Sequence, residues 1–205
     1  MKNILKGSLA LLLVLGFQQT QAQMSRLNAN LNYSISQPLG TLKDYANKTS
    51  FNGWNVSLMY SVTPEISVGL QGGFNDYYER IPRQVYHSGS SDVSAVQTHT
   101  LQLIPVQAAG IYTFGGVEPG IHPYAGLGVG IADVNYDKYW GEFSDSHNKV
   151  AFSVSPMAGV RIPFGQYSPL GLNVGVKYNF TPYSYNEIKN ISNVEGNVGL
   201  TLNIR

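Results

Sequence analysis

The chain has 205 residues, 12% of them charged, and no cysteine. That length suits one all-β domain better than two, and without cysteine neither a disulfide framework nor a cysteine-linked lipid anchor can form. Thirteen Lys and Arg face twelve Asp and Glu; without Lys2 and Lys6 the balance is about −1, so no basic field exists to gather nucleic acid.

Lys2 and Lys6 precede the apolar stretch Leu9–Phe17, and Thr20-Gln21-Ala22 closes on a small residue. This is the order of a cleaved export signal, and the stretch falls short of the ~20 residues of a spanning helix. The expected division is a signal peptide over 1–22 and one domain over 23–205.

Eight runs then alternate apolar with small or polar residues. The first sets Leu27, Ala29, Leu31, Tyr33 and Ile35 against Asn28, Asn30, Asn32, Ser34 and Ser36. The second sets Trp54, Val56, Leu58, Tyr60 and Val62 against Asn55, Ser57, Met59 and Ser61. Past Thr63-Pro64-Glu65, the third sets Ile66, Val68, Leu70 and Phe74 against Ser67, Gly69, Gln71, Gly73 and Asn75, ending near Tyr78. The fourth, about 96–114, reads Leu101 and Leu103, then Val106, Ala108 and Tyr112. Its parity slips at Pro105, which predicts a bulge or local break, because proline has no N–H for the ladder.

The fifth run sets Ala125, Leu127, Val129 and Ile131 against Tyr124, Gly126, Gly128, Gly130 and Ala132. The sixth sets Phe152, Val154, Ala158, Val160 and Ile162 against Ser153, Ser155, Gly159 and Arg161. The seventh sets Leu170, Leu172, Val174, Val176, Tyr178 and Phe180 against Gly171, Asn173, Gly175, Lys177 and Asn179. The eighth sets Val194, Val198, Leu200, Leu202 and Ile204 against Glu195, Asn197, Gly199, Thr201 and Asn203. Successive strand residues point to opposite faces, so each run is a strand with one apolar and one polar face.

Short connections (63–65, 115–120, 165–169) alternate with longer polar ones (about 37–53, 79–95, 138–149, 182–193), which are expected as loops. Short turns at one rim and long loops at the other are the pattern of outer-membrane barrels, with the turns periplasmic. The polar parity is mostly Asn, Ser, Gly, Gln and Thr, too few charges to cover a water-exposed surface but enough to line a lumen. The apolar parity is continuous, and in water it would exceed the few hundred Å² of patch that monomers tolerate. The lipid therefore lies outside. Aromatic residues gather at both ends of the runs: Phe51, Trp54, Tyr77, Tyr78, Tyr136, Tyr139, Trp140, Phe180, Tyr183 and Tyr185 toward the long connections, and Tyr60, Tyr112, Phe114, Phe164 and Tyr167 toward the short ones. Two interfacial belts are the expectation.

Three segments carry a resemblance. The C-terminal stretch 197–204 has Asn197, Gly199, Leu202 and Ile204 in the polar-x-Gly-x-x-apolar-x-apolar order of outer-membrane barrels, although it ends Ile204-Arg205 where many members end on an aromatic. Segments 101–106 and 123–130 are similar to parts of the outer-membrane β-barrel domain family common in Bacteroidota, related to OmpX-like and OmpW-like proteins. The resemblance implies that the last strand is read by the barrel assembly machinery, and it implies a monomer in contact with outer-membrane lipid and lipopolysaccharide.

Candidates for chemistry are few. Gly126, Gly128 and Gly130 lie inside an alternating run with no following helix, so they make room in a lumen and do not bind a dinucleotide. The four histidines show no metal-ligand spacing, and neither a metal nor a cofactor is expected. His87 with Ser88 and Asp92, and His147 with Asp145 and Ser146, share loops, but neighbours in sequence do not make a nucleophile–base geometry. An enzyme is not expected. Arg161, Lys177 and Glu195 form an inward charge cluster, either structural or gating, with Lys177 and Glu195 able to pair across neighbouring strands. The expected fold is an all-β, eight-stranded antiparallel up-and-down transmembrane β-barrel of the outer membrane, with its termini in the periplasm. Its expected role is structural or surface interaction. The alternatives are an OmpW-like narrow channel for small molecules, hydrophobic ones included, and a lipid-modifying enzyme.

Overall fold

A computed structural model describes residues 27–88, 91–115, 120–140, 143–165, 168–186 and 188–204, except for the side chains of 84–95. The signal peptide expected over 1–22 lies outside the described residues. The described residues form eight strands: β1 (Leu27–Leu39), β2 (Ser50–Ser61), β3 (Ile66–Ser88), β4 (Ser91–Thr113), β5 (His122–Trp140), β6 (Phe143–Pro163), β7 (Leu170–Tyr185) and β8 (Ile188–Ile204). One short helix, α1 (Gly40–Tyr45), joins β1 to β2. All pairings are antiparallel between sequence neighbours, and β8 closes on β1. Closure pairs the backbone of the spanning region within the protein, so it needs no water.

The two faces sort by parity. Leu31, Leu70, Ile131, Val176 and Leu200 point outward at 50–64% exposure, whereas Asn30, Asn32, Gln107, Asn173 and Thr201 are buried inside. An outer surface of this composition is stable against lipid and not against water.

Strand length sets the shape beyond the membrane. Crossing takes about 9–11 residues, and β3 and β4 have 23 each. Three of the four connections expected as loops are therefore hairpin ribbons, paired up to Ser88–Ser91, Trp140–Phe143 and Tyr185–Ile188. Their backbones keep pairing although their sequences are polar, because ladder bonds do not require an apolar face.

Pro105 makes a local break without a bulge. Pairing of β3 with β4 lapses between Gly72–Val106 and Asn75–Leu103 and resumes in the same register, while β4 and β5 pair straight through. Registers shift instead across segments containing Pro82 and Pro182. The parity slip at Pro105 has a different cause: the inward residues of β4 are mixed on one side of it (Gln107, Ala109, Ile111, Thr113) and apolar, Leu101 and Leu103, on the other.

The aromatic belts need a related correction. Phe51, Trp54, Tyr78, Tyr139 and Phe180 face outward at the ribbon end, and Tyr60, Tyr112, Phe114 and Phe164 do so at the short-turn end; Tyr167 lies outside the described residues. Tyr77, Tyr136 and Tyr183 instead lie inside at 3% exposure or less, with Tyr185 packed against their cluster.

Candidate functional site

The lumen is two chambers of different chemistry. In the half toward the short turns, amides and hydroxyls from seven strands bond to one another. Asn173 Nδ2 donates to Asn32 Oδ1 and Asn32 Nδ2 to Asn55 Oδ1, each at 2.8 Å. Gln71 Nε2 donates to Gln107 Oε1 at 2.7 Å, and Gln107 Nε2 donates to Ser153 and Ser155 at 2.9 Å. Gly128 leaves room for this amide pair, since a Cβ there would sit 2.1 Å from Gln71 Nε2.

Glu195 is the hub of this network. Lys177 and Glu195 are register partners on β7 and β8, and Lys177 Nζ lies 3.3 Å from Glu195 Oε1 with both side chains buried. Asn55 Nδ2 donates to Oε1 at 2.9 Å, and Asn179 and Asn75 donate to Oε2 at 2.9 and 3.3 Å. A buried ion pair tolerates desolvation only when its remaining lone pairs are bonded, as they are here. Arg161 does not join the pair. It lies nearer the short-turn rim, with its guanidinium carbon 4.8 Å from the centre of the Tyr124 ring. Between these charges is a cavity of about 30 Å³, lined by residues including Arg161, Lys177, Tyr124, Asn30, Asn173 and Asn197.

The ribbon half is apolar and filled. Gly40, at φ +55°, turns the chain inward where β1 ends, and α1 follows. Leu42, Tyr45 and Ala46 enter a cluster with Tyr77, Leu101, Leu103, Val134, Tyr136, Tyr183, Ile188 and Ile191. Tyr45 stacks on His99 at 4.4 Å, and its hydroxyl donates to Asp137 O at 2.8 Å. His99 Nδ1 donates to Tyr45 O at 2.8 Å, and Thr41 Oγ1 donates to Lys189 O at 2.7 Å. No sequence pattern marks the helix, which has six residues and no side-chain cap. Tyr77, Tyr136 and Tyr183 keep the inward parity of Asn75, Ala132 and Asn179, although their residue type pointed to an outer belt.

A closed eight-stranded barrel with an apolar exterior and a packed interior is the geometry against which known proteins can be compared. Residues 8–203 match the family described as outer membrane protein beta-barrel domain. The chain belongs to that family. Its fold is similar to that of Neisserial surface protein A (14% identity, TM-score 0.56, covering 87% of this chain and 96% of that one). It is also similar to the outer membrane protein OprG from Pseudomonas aeruginosa (12% identity, TM-score 0.55, covering 90% and 98%). Likeness at these identities speaks to the fold alone. A search of curated proteins finds no match. As a member of the outer membrane beta-barrel family, the chain is a protein of the cell outer membrane.

The remaining candidates lie on the ribbons and at the barrel seam. Asp145 and His147 share one face of β6, and strand alternation puts Ser146 on the other. Tyr185 Oη donates to Asp145 Oδ1 and Asn186 Nδ2 to Oδ2, both at 2.8 Å, while the His147 ring stacks on Tyr185 at 4.0 Å. His87 and Asp92 are register partners, but their side chains lie outside those described. On β8, Asn197 and Gly199 face the lumen, where Ser34 Oγ donates to Asn197 Oδ1 at 2.6 Å; Leu202 and Ile204 face outward.

Proposed function

We propose that this member of the outer membrane beta-barrel family is a closed, non-conducting barrel with a structural or surface-interaction role. One observation carries the reading: α1 and the apolar cluster fill the ribbon half of the lumen, with Leu42, Leu101, Leu103, Tyr77 and Ile191 all at 0% exposure. A conducting path would need that plug to leave, and its departure would expose a buried apolar core. The Arg161, Lys177 and Glu195 charges then act in structure and not in gating. The surface available to partners is the set of ribbons β3–β4, β5–β6 and β7–β8.

The same reading has the protein as a monomer bounded by lipid and lipopolysaccharide, with Asn197, Gly199, Leu202 and Ile204 serving the assembly machinery. It assigns no catalysis, because both Asp145 oxygens are occupied by Tyr185 and Asn186, and His147 is stacked and not aimed at a hydroxyl.

Conductance in planar bilayers tests it. The full chain should give no current steps, and a chain with residues 40–46 replaced by a Gly-Ser segment should give unstable leak. Discrete steps from the unaltered protein, abolished by Lys177→Ala, would establish the channel and end this reading.

A further inference from the structure

The inward charges of the spanning barrel do not balance. Glu195 is matched by Lys177 at 3.3 Å, and no described carboxylate lies within ion-pair distance of Arg161. Arg161 Nε is buried with no hydrogen-bond acceptor among the described residues. A lysine or a carboxyl can shed its charge when buried, but a guanidinium cannot be deprotonated in a protein. Arg161 is partly exposed near the rim, but its buried Nε and unpaired charge still cost free energy inside a lipid-bounded barrel. This residue therefore calls for a counter-charge from outside the chain.

The local architecture is arranged around that cation. The guanidinium lies over Tyr124, and the ring of Tyr124 crosses Gly159 and Gly175. A Cβ at either glycine would come within 2.7 Å of the Tyr124 hydroxyl, so two side chains are absent where the ring needs space. The cavity beside it, about 30 Å³, has room for about two water-sized species at ~10–15 Å³ each. Arg161 and Lys177 both line it, and Glu195 cancels only one of the two charges. Its route to solvent is the short-turn rim, because Arg161 lies two residues before the end of β6 and the other half is filled by the apolar cluster.

We propose that Arg161, with Lys177 and the surrounding amides, binds a small monovalent anion of the halide class in the periplasmic half of the lumen. The anion enters and leaves by one rim and does not cross the barrel, so the proposal does not depend on whether the plug can open. The unpaired amide oxygens Asn30 Oδ1 and Asn173 Oδ1 accept from a water beside the anion.

The test uses bromide and the full chain refolded in a nonionic detergent. Crystals soaked in sodium bromide should show an anomalous peak beside the Arg161 guanidinium. In solution the unfolding temperature, followed by the β-sheet circular dichroism signal, should be a few degrees higher in bromide than in gluconate at equal ionic strength, and should rise with the logarithm of bromide concentration. Arg161→Gln should lose both the peak and the difference between salts, and Arg161→Lys should keep a smaller difference. Equal unfolding temperatures for the unaltered protein in the two salts would overturn the proposal even if Arg161→Gln fails to fold. So would a peak with no effect in solution, or an Arg161→Gln protein that keeps the full difference.

Discussion

The two halves of the lumen solve the same filling problem with opposite chemistry. Toward the short turns, Asn, Gln and Ser side chains bond to one another around Glu195 and Lys177, beside a small apolar cluster of Met59, Ala109, Ile111 and Tyr124. Toward the ribbons, Leu42, Leu101, Leu103 and Val134 pack as in a soluble core, closed over by α1. The polar half is bounded by lipid, and its directional bonds fix which strands lie opposite one another. The ribbon half stands beyond the membrane and needs an apolar interior of its own, since water surrounds it. Directional bonding therefore makes the polar half intolerant of a single lost partner, whereas the apolar half relaxes around a lost methyl group.

Breaking the polar half at its hub should have the largest effect. Glu195→Ala removes the acceptor of Lys177, Asn55, Asn75 and Asn179 together and leaves a buried ammonium unpaired. A loss of about 3–5 kcal/mol is expected, read as a lower urea midpoint for the protein refolded in detergent. The double replacement Lys177→Met with Glu195→Leu should recover only part of it, because the unpaired charge is gone but Asn75 and Asn179 still lose their acceptor. In the apolar half Leu103→Ala should cost about 2–5 kcal/mol through the cavity left. Unlike the Glu195 loss, this one should not depend on ionic strength.

The contrast between the halves also explains what the sequence could and could not say. Alternation exposed every strand and its lipid face, because the difference between lipid and lumen has a period of two. The lumen pair Lys177–Glu195 was legible as a possible pair, since the seventh and eighth runs are chain neighbours and parity puts both residues inside. The apolar half was not. Its inward residues, Leu101, Tyr136 and Tyr183, have the composition of an outer belt, so residue type argued against parity, and parity was right. The plug α1 has no amphipathic length to detect and is held by contacts remote in sequence, such as Thr41 with Lys189. The Tyr124–Arg161 stack depends on the diagonal offset between β5 and β6, where Arg161 pairs with His122, and composition does not encode that offset.

A finer test compares the lumen with the lipid side at one place in the sheet. Gly69 and Gly110 sit on the paired strands β3 and β4, next to each other but on opposite faces. A Cβ at Gly69 would lie 2.0 Å from Leu58 O, a backbone atom that cannot swing aside, whereas a Cβ at Gly110 would meet nothing within 4 Å. Gly69→Ala should therefore cost about 1–3 kcal/mol through overpacking. Gly110→Ala should gain about 0.5 kcal/mol by restricting the unfolded chain. Urea midpoints of the two variants moving in the same direction would contradict the assignment of faces.

The smallest effect is expected at the boundary of the apolar half, where two tyrosines two residues apart differ in their partners. Tyr185 Oη donates to Asp145, whereas Tyr183 Oη is buried without a partner. Burial, with Tyr185, Tyr136 and Asp145 nearby, raises the Tyr183 hydroxyl from 10.0 to about 12. Its native form thus holds the proton more tightly than the unfolded chain does. Stability is unaffected below pH 10 and falls as pH rises from there toward 12, because only the unfolded state gains by ionising. Tyr183→Phe should be neutral or up to about 1 kcal/mol stabilising at pH 7, since an unsatisfied hydroxyl is removed, and it should flatten the alkaline loss. Tyr185→Phe should instead lower stability at neutral pH, because the bond to Asp145 is lost. Unfolding midpoints of both variants at pH 7 and pH 11 separate a tyrosine buried for its ring from one placed for its hydroxyl.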